Sequence, residues 1–210
     1  GVLTLSYITD KSRVSGSEPY NKTGRLIANY GALTLDGTTV LLGSDDVIAD
    51  AVNVTIAAHL IIDSNSSVSL SSLDNLNNIV EVKGGTLNLN NFESTGLGRI
   101  VAEDGATGTV NVLGITTFAN NDKVLSGNLN IGNGVDTSSL TITNATIGDA
   151  ANVDIKTNSS LNLNSGTLTL NSGDSISGVL NIDSATANID TGLNWTGDVS
   201  LVSGTLNLND

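Results

Sequence analysis

The sequence predicts an all-β fold: a right-handed parallel β-helix, or β-solenoid, with about 19 residues per coil and roughly 10–11 coils in 210 residues. Three observations predict it. A residue register returns every 19 positions, aliphatic and polar residues alternate in short segments, and Gly, Asn, Ser and Asp separate those segments. Aromatic residues make up only 3% of the chain, which suits a lumen filled by aliphatic ladders.

The register is plainest in the last third of the chain. A six-residue pattern recurs there at intervals of 19: SGTLTL at 165–170, SATANI at 184–189 and SGTLNL at 203–208. Further columns keep the same interval: Leu161, Leu180 and Val199; Leu163, Ile182 and Leu201; Ile176 and Trp195. Stacking coil on coil would pair each strand in parallel with its copies above and below.

In the first half of the chain the 19-residue interval is less regular. The columns that we expect to stack there are Leu33 and Leu35 on Val52 and Val54, Leu42 on Ile61 and Val80, and Val68 and Leu70 on Leu87 and Leu89. Larger turns on one side, such as residues 132–138, would absorb the irregular coils. The spacing of columns within one coil is too uneven for the six-residue repeat of a left-handed solenoid, which favours a right-handed coil with unequal turns.

Alternation of period two directs Leu to one side of a strand and Asn to the other. The aliphatic columns therefore fill the predicted lumen. Trp195 belongs to one of them, and we expect it inside the stack beside the small Ala187, because a large residue next to a small one keeps the packing close.

Two regions are predicted. Residues 1–30 hold all three Tyr and the only Pro and form an irregular N-terminal cap or lead-in, whereas residues 31–210 form one continuous solenoid. The sequence stops just after the strand predicted at 204–208, with no polar capping element. Because native solenoids cover such edges, we expect this domain to be part of a longer chain or of an assembly.

Composition excludes several classes of protein. The net charge of −13 argues against a nucleic-acid partner, and the lack of Cys rules out disulfides and thiolate sites. No apolar run approaches the roughly 20 residues of a membrane-spanning helix, so none is expected in this chain.

Candidates for chemistry are few. His59 is the sole histidine and suggests a turn or strand-edge residue, and the acidic pairs 45–46 and 103–104 suggest solvated turns. Residues 133–136 and 171–174 resemble single corners stabilised by Asn or Asp rather than calcium loops. We therefore predict no catalytic residue, no metal site and no cofactor.

Outward columns are the remaining candidates for a functional surface. Two of them stack Asn with Thr and Ser on the water-facing side of the strands. Stacked amides can hydrogen-bond along such a ladder. The residues predicted as possible surface contacts are Asn162, Asn181, Asn188 and Asn207.

The motif GTLNLN at 85–90 and 204–209, with SGNLNI at 126–131, resembles the passenger-domain repeats of bacterial autotransporter and filamentous-haemagglutinin-type adhesins. The resemblance spans about residues 24–210 and implies a β-helix stalk displayed at the bacterial cell surface. We expect a non-enzymatic extracellular structural or adhesive protein, a rigid stalk or filament subunit that mediates attachment. Its partner is a glycan or protein of a host or neighbouring cell, or another copy bound end to end. The alternative is a polysaccharide-active β-helix enzyme, a lyase or hydrolase.

Overall fold

The computed structural model describes residues 2–8, 26–43, 46–63, 65–93 and 97–209, with only the backbone described for residues 2–8, 37 and 38. These ranges contain β-strands and no helix. No membrane-spanning helix is therefore found among the described residues.

The described strands follow one another along the chain as β1 (Val2–Ile8), β2 (Ile27–Ala28), β3 (Gly31–Leu42), β4 (Val47–Ile48), β5 (Val52–Ile56), β6 (His59–Ile62), β7 (Ser67–Ser71), β8 (Asn75–Leu76), β9 (Ile79–Val82), β10 (Thr86–Asn90), β11 (Arg99–Ala102), β12 (Thr109–Val112), β13 (Ile115–Phe118), β14 (Asp122–Ile131), β15 (Ser138–Ile142), β16 (Ala145–Ile155), β17 (Ser159–Leu163), β18 (Thr167–Leu170), β19 (Ser175–Ile176), β20 (Val179–Ile182), β21 (Ala185–Asp190), β22 (Asn194–Trp195), β23 (Asp198–Leu201) and β24 (Gly204–Asn209).

These strands stack in parallel and form three faces. Face A contains β2, β4, β7, β10, β12, β19 and β22 with the second halves of β14 and β16. Face B contains the first half of β3, then β5 and β8, and later β13, β15, β17, β20 and β23. Face C begins with the second half of β3, β6, β9 and β11 and ends with β18, β21 and β24. The predicted parallel β-solenoid is confirmed.

The stack makes about nine turns, fewer than the 10–11 predicted. The reason is that several turns are longer than 19 residues. Asn88 and Asn111, which are neighbours on face A, lie 23 residues apart, and Asn128 and Asn152 lie 24 apart. The extra residues sit in corners, including the stretch after β14 that was expected to absorb them. The right-handed sense of the coil stays a prediction.

The predicted columns hold where turns are regular. Leu161 stacks on Leu180 and then on Val199, and Val68 stacks on Leu87, as expected. Two columns of the first turns were wrong. Leu33 pairs with Val54 rather than Val52, and Leu42 pairs with Ile62 rather than Ile61. The error at Leu42 is the more serious one, because a pairing shifted by one residue exchanges the inward and outward sides of the strand.

The core is a set of aliphatic columns that run the length of the lumen. One column on face A illustrates it, with every member at most 1% exposed: Ile48, Val68, Leu87, Val110, Leu129 and Val153. Complete burial of such a side chain stabilises the fold by roughly 1.5–3 kcal/mol. The lumen therefore provides the main driving force for stacking.

Trp195 is a partial exception to the predicted lumen. It stacks on the buried Ile176 in the expected register, yet 39% of its surface is exposed. The reason is its position in the last described turn, where no described turn covers it. Its indole N–H donates to the Gly197 carbonyl at 2.7 Å.

Four aspartates at corners join consecutive turns. One oxygen of each accepts the backbone N–H three residues earlier, and the other accepts an N–H in the preceding turn, 20–22 residues back. We call them the aspartate brackets: Asp46, Asp74, Asp122 and Asp174. A hydrogen bond to a charged group contributes about 1.5–3 kcal/mol, so each bracket is a strong inter-turn contact.

The brackets correct the expectation for the pair 45–46. Asp45 lies outside the described residues, but Asp46 is fully buried rather than solvated. Leu26 N–H donates to its Oδ1 at 2.7 Å and Gly43 N–H to its Oδ2 at 3.1 Å. Two backbone donors at one corner explain why a carboxylate can be buried there.

The N-terminal strand β1 pairs in parallel with β3, with Leu3 opposite Leu33 and Leu5 opposite Leu35. Strand β2 pairs with β4 on face A. Most of the predicted N-terminal region, residues 9–25, lies outside the described ranges. The division into residues 1–30 and 31–210 therefore stays a prediction.

One residue of the lumen is polar, and its replacement tests the packing. Thr116 is fully buried opposite Leu140, and its hydroxyl has no hydrogen-bond partner among the described residues. We predict that Thr116→Val, which keeps the shape and removes this hydroxyl, raises the free energy of unfolding by about 1 kcal/mol. The melting temperature should rise by roughly 2–4 °C in a calorimetric or circular-dichroism melt.

The matched control for this change is Thr141→Val. The Thr141 hydroxyl faces outward and accepts a hydrogen bond from the Asn162 amide at 3.3 Å, so its removal should bring no gain. A lower melting temperature for Thr116→Val than for the wild type would show that the Thr116 hydroxyl is satisfied in solution.

Candidate functional site

The structure places the four predicted contact residues in two ladders. On face B, the Asn181 amide donates to Asn162 Oδ1 at 2.7 Å, and the Asn162 amide donates to Thr141 Oγ1 at 3.3 Å. On face C, the Asn207 amide donates to Asn188 Oδ1 at 2.8 Å. The two ladders lie in separate sheets, so the prediction identified two surfaces rather than one site.

A third and longer ladder on face A was missed. Asn111 donates to Asn88 Oδ1 and Asn130 donates to Asn111 Oδ1, each at 2.9 Å. A neighbouring column continues with Asn128 donating to Thr109 Oγ1 at 3.3 Å. The GTLNLN motif at 85–90 is the sequence feature that could have revealed this ladder. The next member, Asn111, lies 23 residues after Asn88, so a search at intervals of 19 residues misses it.

All these amides donate in the same direction, toward the preceding turn. Hydrogen bonds that run in one direction polarise one another and hold the side chains in fixed rotamers. Successive members lie roughly 4.8 Å apart, the spacing of paired strands. The ladders therefore present ordered rows of amide and hydroxyl groups whose conformational entropy is already reduced before any contact forms.

His59 lies on β6 at the edge of a small charged cluster on face C. Its Nε2 is 2.9 Å from Glu81 Oε2, and Lys83 Nζ is 3.4 Å from Glu81 Oε1. The expectation of a strand or turn histidine agrees with this position. The cluster contains no Ser, Thr or Cys beside His59, so its three residues do not form a Ser-His-Asp arrangement.

Glu103 and Asp104 lie in the exposed turn after β11, as predicted for a solvated pair. Together with Glu81 and Lys83 they line a small cavity of about 190 Å³.

Within the described ranges, no three His, Cys, Asp or Glu side chains are grouped so that they could hold a metal ion. The corner at 133–136 is closed by Asn133, whose Oδ1 accepts the N–H groups of Val135 and Asp136 at 2.9 Å.

Two of the aspartate brackets have perturbed acidities. Burial raises the pKa of the Asp174 carboxyl above its ordinary value, against the opposing effect of the Val153 and Asn171 N–H donors. Burial likewise raises the pKa of Asp74, although donors from Val54 and Ser71 oppose it. Each of these carboxylates is held by backbone donors at a corner, so the perturbation belongs to a structural contact.

No protein-family model, curated protein or solved structure matches the chain. The fold itself defines the class, a parallel β-solenoid, and the outward ladders are its most regular surface feature.

The raised pKa of Asp174 predicts a pH dependence. The folded chain binds this proton more tightly than the unfolded chain does, so the contribution of Asp174 to stability is complete below about pH 4 and is lost as the pH rises through the raised pKa. We expect the stability advantage of the wild type over Asp174→Asn to shrink between about pH 4 and pH 7. Urea unfolding of both proteins across this range measures it.

Asp104→Asn is the control, because it removes the same charge from an exposed turn. Its difference from the wild type measures what the loss of one exposed charge does at each pH, and the result for Asp174→Asn is compared with it. An advantage over Asp174→Asn that grows as the pH rises would mean that the bracket lowers the pKa of Asp174, with the backbone donors outweighing burial.

Proposed function

We propose that the chain is a non-enzymatic extracellular structural or adhesive protein, a rigid β-helix stalk or filament subunit that mediates attachment. The observation that supports it is the pair of amide ladders on faces B and C of a continuous solenoid. Ordered polar rows at a fixed spacing suit contact with a surface, because less entropy is lost when they bind. The resemblance of the GTLNLN repeats to bacterial adhesin passengers points the same way.

The proposed partner is a glycan or protein on a host or neighbouring cell, with end-to-end self-association as the route to a filament. Display at a bacterial cell surface is the proposed location. The excess of negative charge fits such a role, since a solvated acidic coat keeps an exposed rod soluble and discourages nonspecific association. In this proposal the ladders on faces B and C make the contact, through Asn162 with Asn181 and through Asn188 with Asn207.

The test is an attachment assay with ladder variants. We predict that replacing all four predicted Asn by Thr lowers the bound fraction on a cell layer several-fold, because the amide groups are lost. Thr already occupies these columns at Thr141 and Thr169, so the variant should fold. Beads coated with the purified chain, counted after washing, give the measurement, and circular dichroism confirms the fold.

The matched control is Asn88→Thr with Asn111→Thr on face A, which should leave attachment unchanged. Equal attachment by the wild type and the fourfold variant would refute the ladder contact, and no attachment by the wild type would refute the function. Release of unsaturated or reducing sugar from pectin, alginate or host glycans would instead establish the enzymatic alternative.

A further inference from the structure

The corner between β14 and β15 holds the sole Asn-Gly pair of the chain, Asn133 with Gly134. Asparagine is a thermolabile residue, because the backbone nitrogen of the residue that follows it can attack its side-chain amide carbon. Both residues lie outside the strands, and Asn133 is exposed. We propose that Asn133 is a modification site, at which the folded chain deamidates without an enzyme to aspartate and isoaspartate.

The reaction is an internal displacement followed by hydrolysis. The Gly134 backbone nitrogen gives up its proton to solvent and forms a bond to Asn133 Cγ, while the bond from Cγ to Nδ2 breaks. Nδ2 takes up a proton and leaves as ammonia, so a cyclic imide remains. Water then opens the imide, at Cγ to give aspartate or at the backbone carbonyl carbon to give isoaspartate. Water is the sole co-reactant, and nothing is oxidised or reduced.

The attacking nitrogen is free at this corner. Among the described residues, the Gly134 N–H donates to no acceptor. A Cβ built on Gly134 would meet no atom within 4 Å, so the residue has open surroundings. Its φ of +83° lies in the left-handed region, which glycine adopts without a steric penalty. The peptide can therefore rotate to bring its nitrogen to Cγ.

Two other asparagines show the contrast. Asn65 also lies at a corner, but the next residue is the buried Ser66, whose N–H donates to the Asp63 carbonyl at 3.1 Å. Asn162 belongs to a ladder, and the next residue is Leu163, which is 2% exposed in a strand paired on both sides. In both cases attack would require a buried and paired backbone to move. Asn133 needs no such opening.

The hydrogen bonds at the Asn133 amide favour the reaction. Its Oδ1 accepts the N–H groups of Val135 and Asp136 at 2.9 Å each. Negative charge develops on this oxygen when a nitrogen adds to Cγ, and a pair of fixed N–H donors stabilises such charge. The same contacts hold the side chain against the chain segment that follows it, which keeps Cγ close to the Gly134 nitrogen.

Conversion alters the corner in a defined way. Asn133 Nδ2 donates to Asp136 Oδ2 at 2.9 Å, and in the aspartate product a carboxylate oxygen takes the place of this donor. A hydrogen bond thereby becomes a contact between like charges, and isoaspartate also adds a methylene to the main chain. Because Asn158 Nδ2 donates to the Val135 carbonyl at 3.3 Å, a shift of this corner reaches the next turn.

The proposal is tested by incubating the folded chain at neutral and at mildly alkaline pH. Peptide mass spectrometry, with fragmentation that distinguishes aspartate from isoaspartate, follows each asparagine. We expect Asn133 to give both products at least tenfold faster than any other asparagine of the described ranges. The rate should rise with pH, because the attacking nitrogen must lose its proton. Faster conversion of another described asparagine, or no preference for Asn133, would overturn the proposal.

Variants identify the attacking atom. Gly134→Ala fits the open space but restricts the rotation of the peptide, so it should slow conversion of Asn133 at least tenfold. Thr137→Ala, an exposed change in the same corner, should leave the rate within twofold of the wild type. Gly134→Asn, which tolerates a positive φ, replaces Gly134→Ala if the latter does not fold. An unchanged rate in the folded Gly134 variant would refute attack by this nitrogen.

Unfolding in urea separates the effect of the corner from that of the dipeptide. We expect the folded chain to convert Asn133 at a rate within threefold of the unfolded chain, or above it, because the two N–H donors assist the attack. A folded rate more than threefold below the unfolded one would show that these donors protect the amide instead. The readout does not involve attachment, so this proposal and the proposed function fail separately.

Discussion

Parallel backbone pairing between successive turns fixes the surroundings of every side chain in the described solenoid. Once Leu161 lies opposite Leu180, their neighbours Asn162 and Asn181 must also lie opposite each other, on the other side of the strand. The buried columns and the polar ladders are thus two consequences of one register. The aspartate brackets reinforce that register, because each carboxylate can reach both turns only when they are aligned.

The sequence predicts this architecture best where successive turns have the same length. From Leu161 onward, neighbouring coils differ by 19 residues, and inward and outward columns could be assigned residue by residue. The Asn88 ladder could not, because corner residues add nothing to the alternation yet shift the register. Buried Asp46 also escaped, since an aspartate between short strands has the same local pattern whether or not backbone N–H groups enclose it.

The outward ladders show the same division between what the sequence predicts and what only the structure shows. Outward Asn at 162, 181, 188 and 207 was predicted from alternation alone, and the structure adds that their amides bond to the preceding turn. Long-range stacking, rather than any local motif, creates the ladders on which the proposed contact relies.

The most direct test of inter-turn registration is hydrogen exchange at a bracketed amide. Ile100 N–H donates to Asp122 Oδ1 at 2.7 Å across 22 residues of sequence. In Asp122→Ala, exchange at Ile100 should accelerate at least tenfold, whereas Lys123→Ala, a neighbouring outward change, should leave it near the wild-type rate. Faster exchange confined to residues 119–124, with Ile100 unaffected, would contradict a registering role for the brackets, because Asp122 would then stabilise only its own turn.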